Sequence, residues 1–536
     1  MAAIAADDAR TVRRFPPALS LILVALALGA AVGPAAAQSL IWKRYMESAT
    51  TAAAAGRRAD AEGLLRAALR EAEAPGTNPD ALFATLRALG DLYWSAQRYA
   101  DAEATMVRML AVQESIVGSS HPALAASLVR LARTYRMTAR DADAERTLGR
   151  ALKIAQSASP PLEPIAVLNE MGELRRDRGR YADAELYFRQ SLALLEAHQQ
   201  PEPFDLAMLL VNLGHAVHQQ QRYAEAEAFE RRALALAEAS LGPEHVLVAH
   251  AASGLALTRS AQGDKAEAER LQRRTLALLD RQAQPDANSL SFTLLKIGDL
   301  AYEDGRLGDA ESAYARALAT CEQSSACDDL RLGAILLGLA ESGRKLGKYV
   351  EAEGTARRFL GLVERRFGRE SLDAALALQV LGRTYLDTGR HAEAEPLLRR
   401  GLAIREGFEE SLDLATTLRL LAWVDWWRGR HREADEKLSR AIAIIERRRG
   451  PLYMELAFVL VERAMLAELT NADADAEPLY GRALAIADAH PKFSLVDLAD
   501  IMESYARVLR ALHRRGEAFV MDGRAAAVRA RIPPAQ

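Results

Sequence analysis

The sequence predicts an all-α protein, a solenoid of about twelve helical hairpins, on three observations. An alanine recurs at a near-constant spacing from residue 61 to residue 518. Between successive alanines lie two apolar stretches of helical period joined by a short break. Glycine marks that break in most units, where a helix end favours a left-handed residue.

The first element is not part of the repeat. Arg10, Arg13 and Arg14 precede the apolar run Ala18 to Gly33, and Ala35 and Ala37 form an A-x-A pattern before Gln38. Residues 1–37 therefore read as a secretory signal peptide. An uncleaved anchor is the alternative, but the apolar run is shorter than the roughly 20 residues of a spanning helix. No stable membrane insertion is expected after cleavage, and the expected location is periplasmic or secreted. Gln38 in place of cysteine closes the lipidated-cysteine route, and Phe15-Pro16 after the arginine pair fits twin-arginine export poorly.

Residues 38–536 form the array. The aligned alanines are Ala61, Ala102, Ala144, Ala184, Ala226, Ala268, Ala310, Ala352, Ala394, Ala434, Ala476 and Ala518. Their spacing is 42 residues in eight of eleven intervals and 40 or 41 in the others, so the repeat overrides the three or four domains that 536 residues would suggest. Gly56, Gly179, Gly263, Gly305, Gly347, Gly389 and Gly429 fall at the break, and Asn471 takes that place in the eleventh unit. The small alanine lets the two helices of a hairpin approach closely, and a larger residue there would overpack the contact by about 1–3 kcal/mol.

"LGDLYWSAQRYADAE" at Leu89 to Glu103 and "LGRTYLDTGRHAEAEPLLRRGL" at Leu381 to Leu402 carry a leucine-glycine pair, an aromatic residue, and the aligned alanine at fixed offsets. In these features the chain resembles the tetratricopeptide repeats, and its 42-residue period is similar to that of the kinesin-light-chain subclass. The first unit lacks the leucine-glycine pair, and the twelfth has Phe519 where most units have glutamate. Terminal units differ because one face of each is solvated. The resemblance implies a right-handed superhelix whose first helices line a concave groove for a protein or an extended peptide.

Charge and motifs narrow the function. The 69 basic and 72 acidic residues balance, which argues against nucleic acid as a partner. There is no H-E-x-x-H, phosphate loop, G-x-S-x-G or paired C-x-x-C, no cofactor is expected, and no stretch is left for a catalytic module. The chain therefore reads as a non-enzymatic scaffold, and a hydrolase hidden in the groove has no supporting motif. His215 and His218 share one helix face and could hold a metal with His250. Register places His250 roughly 10 Å away along the axis, at about 1.5 Å per residue, so two polar groove histidines is the stronger reading. Arginines at 108, 150, 232, 274, 316, 358, 400, 440, 482 and 524 look like an anion-binding stripe, but they stand on outer helices amid acidic residues and are expected to pair with them.

The repeat register assigns groove positions. Trp423, Trp426 and Trp427, three of the five tryptophans, fall on the first helix of unit ten with Arg419, beside Arg383 on one neighbour and Met465 on the other. Aromatic residues, methionine and arginine are what protein interfaces enrich. Burial of one or two rings in the stack is the competing reading, but the three span nearly half the helix circumference. A second segment is charged: Arg133, Arg136, Asn169 and Arg176 in units three and four, where Asn169 matches the groove asparagine that in similar repeats bonds a peptide backbone. Tryptophans stacking on sugar rings, in a carbohydrate-binding or envelope-assembly factor, are the alternative use. Cys321 and Cys327 could close a loop as a disulfide in an oxidising compartment, with free thiols the alternative. The oligomeric state is not encoded in any of these features.

Overall fold

The computed structural model describes residues 34–158, 164–198, 201–282, 285–324, 327–491 and 493–532. The expected signal segment lies outside them, except for residues 34–37, which enter only as helical backbone. Among the described residues there are twenty-four helices and no strand, and none of the helices is long and apolar enough to cross a membrane. Contacts group the chain into two compact units divided after Leu278.

The first unit contains α1 (Pro34–Ala54), α2 (Arg58–Ala72), α3 (Pro79–Ser95), α4 (Tyr99–Val117), α5 (Leu124–Met137), α6 (Asp141–Ser157), α7 (Ile165–Asp177), α8 (Tyr181–Ala197), α9 (Pro203–Gln219), α10 (Tyr223–Leu241), α11 (Val246–Ala261) and most of α12 (Lys265–Asp280). The second contains α13 (Ala287–Glu303), α14 (Leu307–Gln323), α15 (Asp329–Lys345), α16 (Tyr349–Phe367), α17 (Leu372–Asp387), α18 (His391–Glu406), α19 (Leu412–Trp427), α20 (His431–Arg449), α21 (Met454–Leu469), α22 (Asp473–Ala489), α23 (Leu495–Ala511) and α24 (Arg515–Arg529). Odd and even helices pair as the predicted hairpins, and within each unit every hairpin packs on the next.

The aligned alanines hold the hairpins together. All twelve are at most 1% exposed. In several hairpins a large side chain four residues after the alanine plugs the hairpin beneath a glycine of the first helix. A Cβ on Gly172 would sit 2.4 Å from the Phe188 ring, and one on Gly382 would sit 2.8 Å from Leu398. Glycine is needed there for space.

At the break it is needed for conformation, and the requirement extends beyond glycine. Gly389 has φ 73° and Gly429 φ 73°, and Gln97, Ala139, Gln221, Asn471 and His513 hold the same left-handed backbone at the corresponding breaks. At Gly389 the cap is a Schellman pair, Gly389 N–H to Leu386 O (3.0 Å) and Arg390 N–H to Tyr385 O (2.8 Å). Many first helices begin on a side-chain cap, such as Ser371 and Ser411, whose hydroxyls accept from Ala374 N–H and Leu414 N–H.

Successive hairpins are tied by two rows of ion pairs. The ten outer-helix arginines pair with Glu73, Glu114, Glu196, Glu238, Asp280, Glu322, Glu364, Glu406, Glu446 and Asp488, respectively. Each carboxylate stands at the C-terminal end of the preceding second helix, where the helix dipole disfavours a negative charge, and the arginine offsets that. In the other row the arginine before a second helix reaches the glutamate after the previous unit's aligned alanine: Arg98 to Glu62 (2.8 Å), Arg222 to Glu185 (2.7 Å) and Arg390 to Glu353 (2.7 Å). Arg98 and Arg390 also lie over the rings of Tyr93 and Tyr385. Cys321, in the last turn of α14, and Cys327, just before α15, are joined in a disulfide with Cα atoms 5.1 Å apart.

Candidate partner-binding grooves

In the second unit the first helices α17, α19 and α21 carry the aromatic segment. Trp423 and Trp427 are 41% and 57% exposed. Trp426 differs: it is half-buried and packs on the core formed by α19 to α24. Trp423 stacks on Trp426 with centroids 5.3 Å apart, and Trp427 stacks on His391 at 4.6 Å with the planes 7° apart. The His391 Nδ1 lies 2.8 Å from the Gly389 carbonyl, which can only accept, so Nδ1 carries the proton and the ring orientation is pinned.

Three arginines surround these rings and differ in how they are matched. Arg419 is bidentate to the buried Glu462, with Nε at 2.8 and 2.7 Å and Nη2 at 2.5 Å. Arg344, itself buried, bonds Glu341 (2.9 Å) and Asp387. Arg383, half-buried between them, forms no ion pair or hydrogen bond among the described residues. Burial depresses its pKa, and the neighbouring charge of Arg344 adds to the effect against Glu341 and Asp387. Arg383, Asp387, Thr416, Arg419, Trp423 and Glu462 line a cleft of about 360 Å³ with Leu386, Leu420 and His391. Met465 is 38% exposed on α21, whereas Phe458 on the same helix stacks on Phe493 and packs on the core. A larger cleft, about 620 Å³, lies between α20, α21 and α22, and its Arg463 is already paired with Asp435 at 2.7 Å.

In the first unit the charged segment is closed on itself. Glu170, 1% exposed, receives Arg133 Nε (3.0 Å) and Arg136 Nε (2.8 Å). Arg136 also pairs with Asp177 and stands 3.7 Å from Glu173. Arg176 bonds Glu173 (2.5 Å), Asp177 (3.1 Å) and Asn212 (3.4 Å). The Asn169 carbonyl is taken by Asn212 Nδ2 at 3.4 Å. Burial works against the charge on Arg136, but Glu170, Asp177 and Glu173 outweigh it and raise its pKa; burial raises that of Glu173 despite Arg176 and Arg136.

Beside this network stand the two histidines of α9 and two buried polar groups, Glu230 and Gln272, that register alone did not single out. Glu230 is 2% exposed and occupies the plug position that holds Phe188, Tyr314, Leu398 and Tyr480 in other hairpins. A Cβ on Gly214 would sit 2.6 Å from its side chain, and one on Gly254 would sit 3.3 Å away. Its Oε2 has no hydrogen-bond partner, and burial pushes its pKa up to about 8. Thr258, which bonds Glu230, also lies 2.9 Å from His218 Nδ1. His215 packs edge-on against Tyr181, and burial, then the charge of Arg176, pushes its pKa down to about 4. Gln272, the plug of the next hairpin, is 1% exposed with both amide atoms unpartnered. The signal was present in the repeat alignment: a polar residue where seven of the other units place an aromatic or leucine.

Comparison with known proteins agrees with the repeat. Residues 82–157, 205–281 and 331–407 match the tetratricopeptide repeat family. No curated protein matches the sequence. Among solved structures, the chain is similar to a Signal Transduction ATPase with Numerous Domains protein carrying a tetratricopeptide repeat sensor, from Pyrococcus horikoshii. That likeness has 15% identity and a TM-score of 0.50 and covers 67% of this chain and 52% of the other, so this chain spans about half its length. BtubC from P. vanneervenii is 25% identical over 43% of this chain and 91% of its own, with a TM-score of 0.36. A putative kinesin light chain repeat array of Podosopora anserina is 19% identical over 40% of this chain and 100% of its own, with a TM-score of 0.35. Three segments of the chain thus match tetratricopeptide repeats, and the fold is an all-α solenoid.

Proposed function

We propose that this protein is an exported, non-enzymatic scaffold that binds a protein or extended peptide partner along the groove faces of its first helices. The observation that carries this reading is the exposure of Trp423 and Trp427 beside an open cleft on one helix face, since large exposed aromatics on a soluble surface mark interaction sites. Binding is then multipoint, with a few aromatic anchors supplying most of the affinity and the surrounding polar groups fixing register. The arginine-led apolar segment before residue 38 and the Cys321–Cys327 bridge support export to an oxidising compartment. Fractionation of the native cell tests that: recovery of the full-length, unprocessed chain in the cytoplasm overturns it.

Crosslinking and pull-down from the native envelope test the binding role. Trp423→Ala and Trp427→Ala together should abolish partner recovery while far-ultraviolet circular dichroism stays unchanged. Trp426 is left intact because it packs into the core. Undiminished recovery by the folded double variant removes the groove from the partner's path. The flat exposed rings also suit a sugar, and tryptophan fluorescence on adding cell-wall fragments, compared with peptides, separates the two.

A further inference from the structure

We propose that the outward face of α24 is the seat of a second copy of this chain, which docks about a twofold axis with its own α24 antiparallel, so that Phe519 of each copy lodges on small residues of the other. This goes beyond the groove reading and does not rest on it.

The repeat shows what sets this face apart. The residue after the aligned alanine is Glu or Asp in eleven of the twelve units, and in the twelfth it is Phe519. That acid receives a basic group from the next hairpin, as Glu62 receives Arg98 (2.8 Å) and, at the end of the row, Glu477 receives Arg514 (3.1 Å). The outer row stops as well, because the position of Asp488 in unit eleven is Ala530 in unit twelve. Another hairpin stacked here would bring its arginines to a face with neither carboxylate. The same holds for a copy set head to tail, whose first hairpin carries Arg57 at the position of Arg98 and Arg514. An end that only meets solvent needs a polar outer face. This one replaces an acid by a phenylalanine that is 80% exposed, with Val520 beside it at 59%.

The rest of the face suits a copy of itself. At about 100° per residue, Gly516, Phe519, Val520, Gly523, Ala526 and Ala527 fall within roughly 120° of the helix, and all six are exposed. None of them is charged. Glu517, Asp522, Arg524 and Arg529 flank the arc, and each is already paired within the chain, with Arg514, Arg510, Asp488 and Glu503. A partner therefore gains by apolar contact rather than by charge. In a twofold pair residue i meets residue j while j meets i, so one face must carry both the large side chains and the spaces for them. Antiparallel helices that cross at Gly523 set Phe519 on Ala527 and Val520 on Ala526, in both directions. The glycines fit the same contact. Each costs helix stability relative to alanine, yet a Cβ on Gly516 or Gly523 would meet nothing within 4 Å among the described residues, so packing inside the chain does not call for them. At a helix crossing they let two backbones approach. One pair of fifteen-residue helices is a small contact, so the copies separate on dilution.

The test is sedimentation equilibrium of the full chain, purified from its native cell, from about 1 to 200 µM. A monomer–dimer equilibrium within that range is expected. Phe519→Glu, which restores the acid of the other eleven units, should weaken association at least about tenfold with the helical signal unchanged. Gly523→Ala should also weaken it about tenfold while the melting temperature holds or rises, which a purely structural role of Gly523 would not produce. A parent chain that stays monomeric at about 200 µM overturns the proposal, as does association that Phe519→Glu leaves intact. Growth beyond the dimer with rising concentration, the mark of head-to-tail stacking, overturns it too. A monomeric parent that loses an envelope protein on Phe519→Glu gives the face to another partner and removes the second copy from it.

Discussion

The two groove regions use the same residue types and reach opposite states. In the first unit, Arg133, Arg136 and Arg176 meet Glu170, Glu173 and Asp177, and every arginine of the set has a carboxylate. In the second, Arg344 and Arg419 are matched, but Arg383 forms no ion pair among the described residues and stands beside exposed Trp423. A closed network is rigid and costly to disturb, because each charge depends on its partner for the solvation it lost. An open arginine beside an aromatic wall can gain from a ligand. Arginine content alone therefore says little about where a partner docks; pairing does.

The largest expected effect breaks the closed region. Glu170→Ala leaves Arg133 and Arg136 without their shared buried carboxylate and should lower stability by about 3–5 kcal/mol, read from urea unfolding. A loss below about 1 kcal/mol, the range of an exposed pair, would show that the network is solvated and that the contrast between the regions is false.

Next comes the buried carboxylate beside that network. Glu230→Leu puts in its place the kind of plug that Leu398 supplies and should stabilise the protein by about 1–3 kcal/mol near neutral pH. The sign follows from its pKa, raised from 4.5 to about 8: the folded state keeps a proton that the unfolded state has lost. Its contribution is full below about 4.5 and is lost as pH rises toward 8, by about 1.4 kcal/mol per pH unit. His215, lowered from 6.5 to about 4, acts oppositely: its contribution is present above 6.5 and lost as pH falls toward 4. The two oppose each other at acid pH, so the clean window is pH 6.5 to 8, where stability should decline in the parent and stay flat in Glu230→Leu. A decline of equal slope in both would assign it to other groups.

A smaller effect probes the open region. Trp427→Ala removes one stacked pair with His391 and should cost at most about 1.5 kcal/mol of stability. A loss of 3 kcal/mol or more, about the cost of deleting a core aromatic, would make Trp427 part of the core rather than of a docking surface. The smallest effect is shared: Arg150→Ala and Arg440→Ala, one in each unit, should each cost at most about 1 kcal/mol, as exposed pairs do. Unequal losses would mean that the outer row is not an element common to the two units.

Much of this was readable from the repeat. The alanine spacing located twelve hairpins because a close helix contact tolerates only a small residue, and all twelve alanines are buried. The glycine breaks were readable for the same kind of reason, a backbone with positive φ. Gln97, Ala139, Gln221 and His513 adopt that backbone without the glycine signature, because closing the hairpin demands it whatever the side chain. The outer arginines were expected to pair with acidic neighbours, and their partners stand on the preceding hairpin.

The groove was readable only in part. Register placed Trp423, Trp426 and Trp427 on one helix, and the packing of α19 against its neighbours separated Trp426, held by the core, from the two exposed rings. Glu230 was visible as a polar residue at a plug position, but its isolation followed only from the two glycines that enclose it.

By itself the sequence determined the local rules: which residues form helices, where each hairpin turns, and which small residue sits at its contact. The tertiary structure alone decided which charges are satisfied. Arg136 finds Glu170 34 positions away, Arg419 finds Glu462 43 positions away, and Arg383 forms no ion pair among the described residues, although Glu341 and Asp387 act on its charge. Such partners are neighbours only across stacked hairpins, and a charge is quenched or left available by its distance in space, not in sequence.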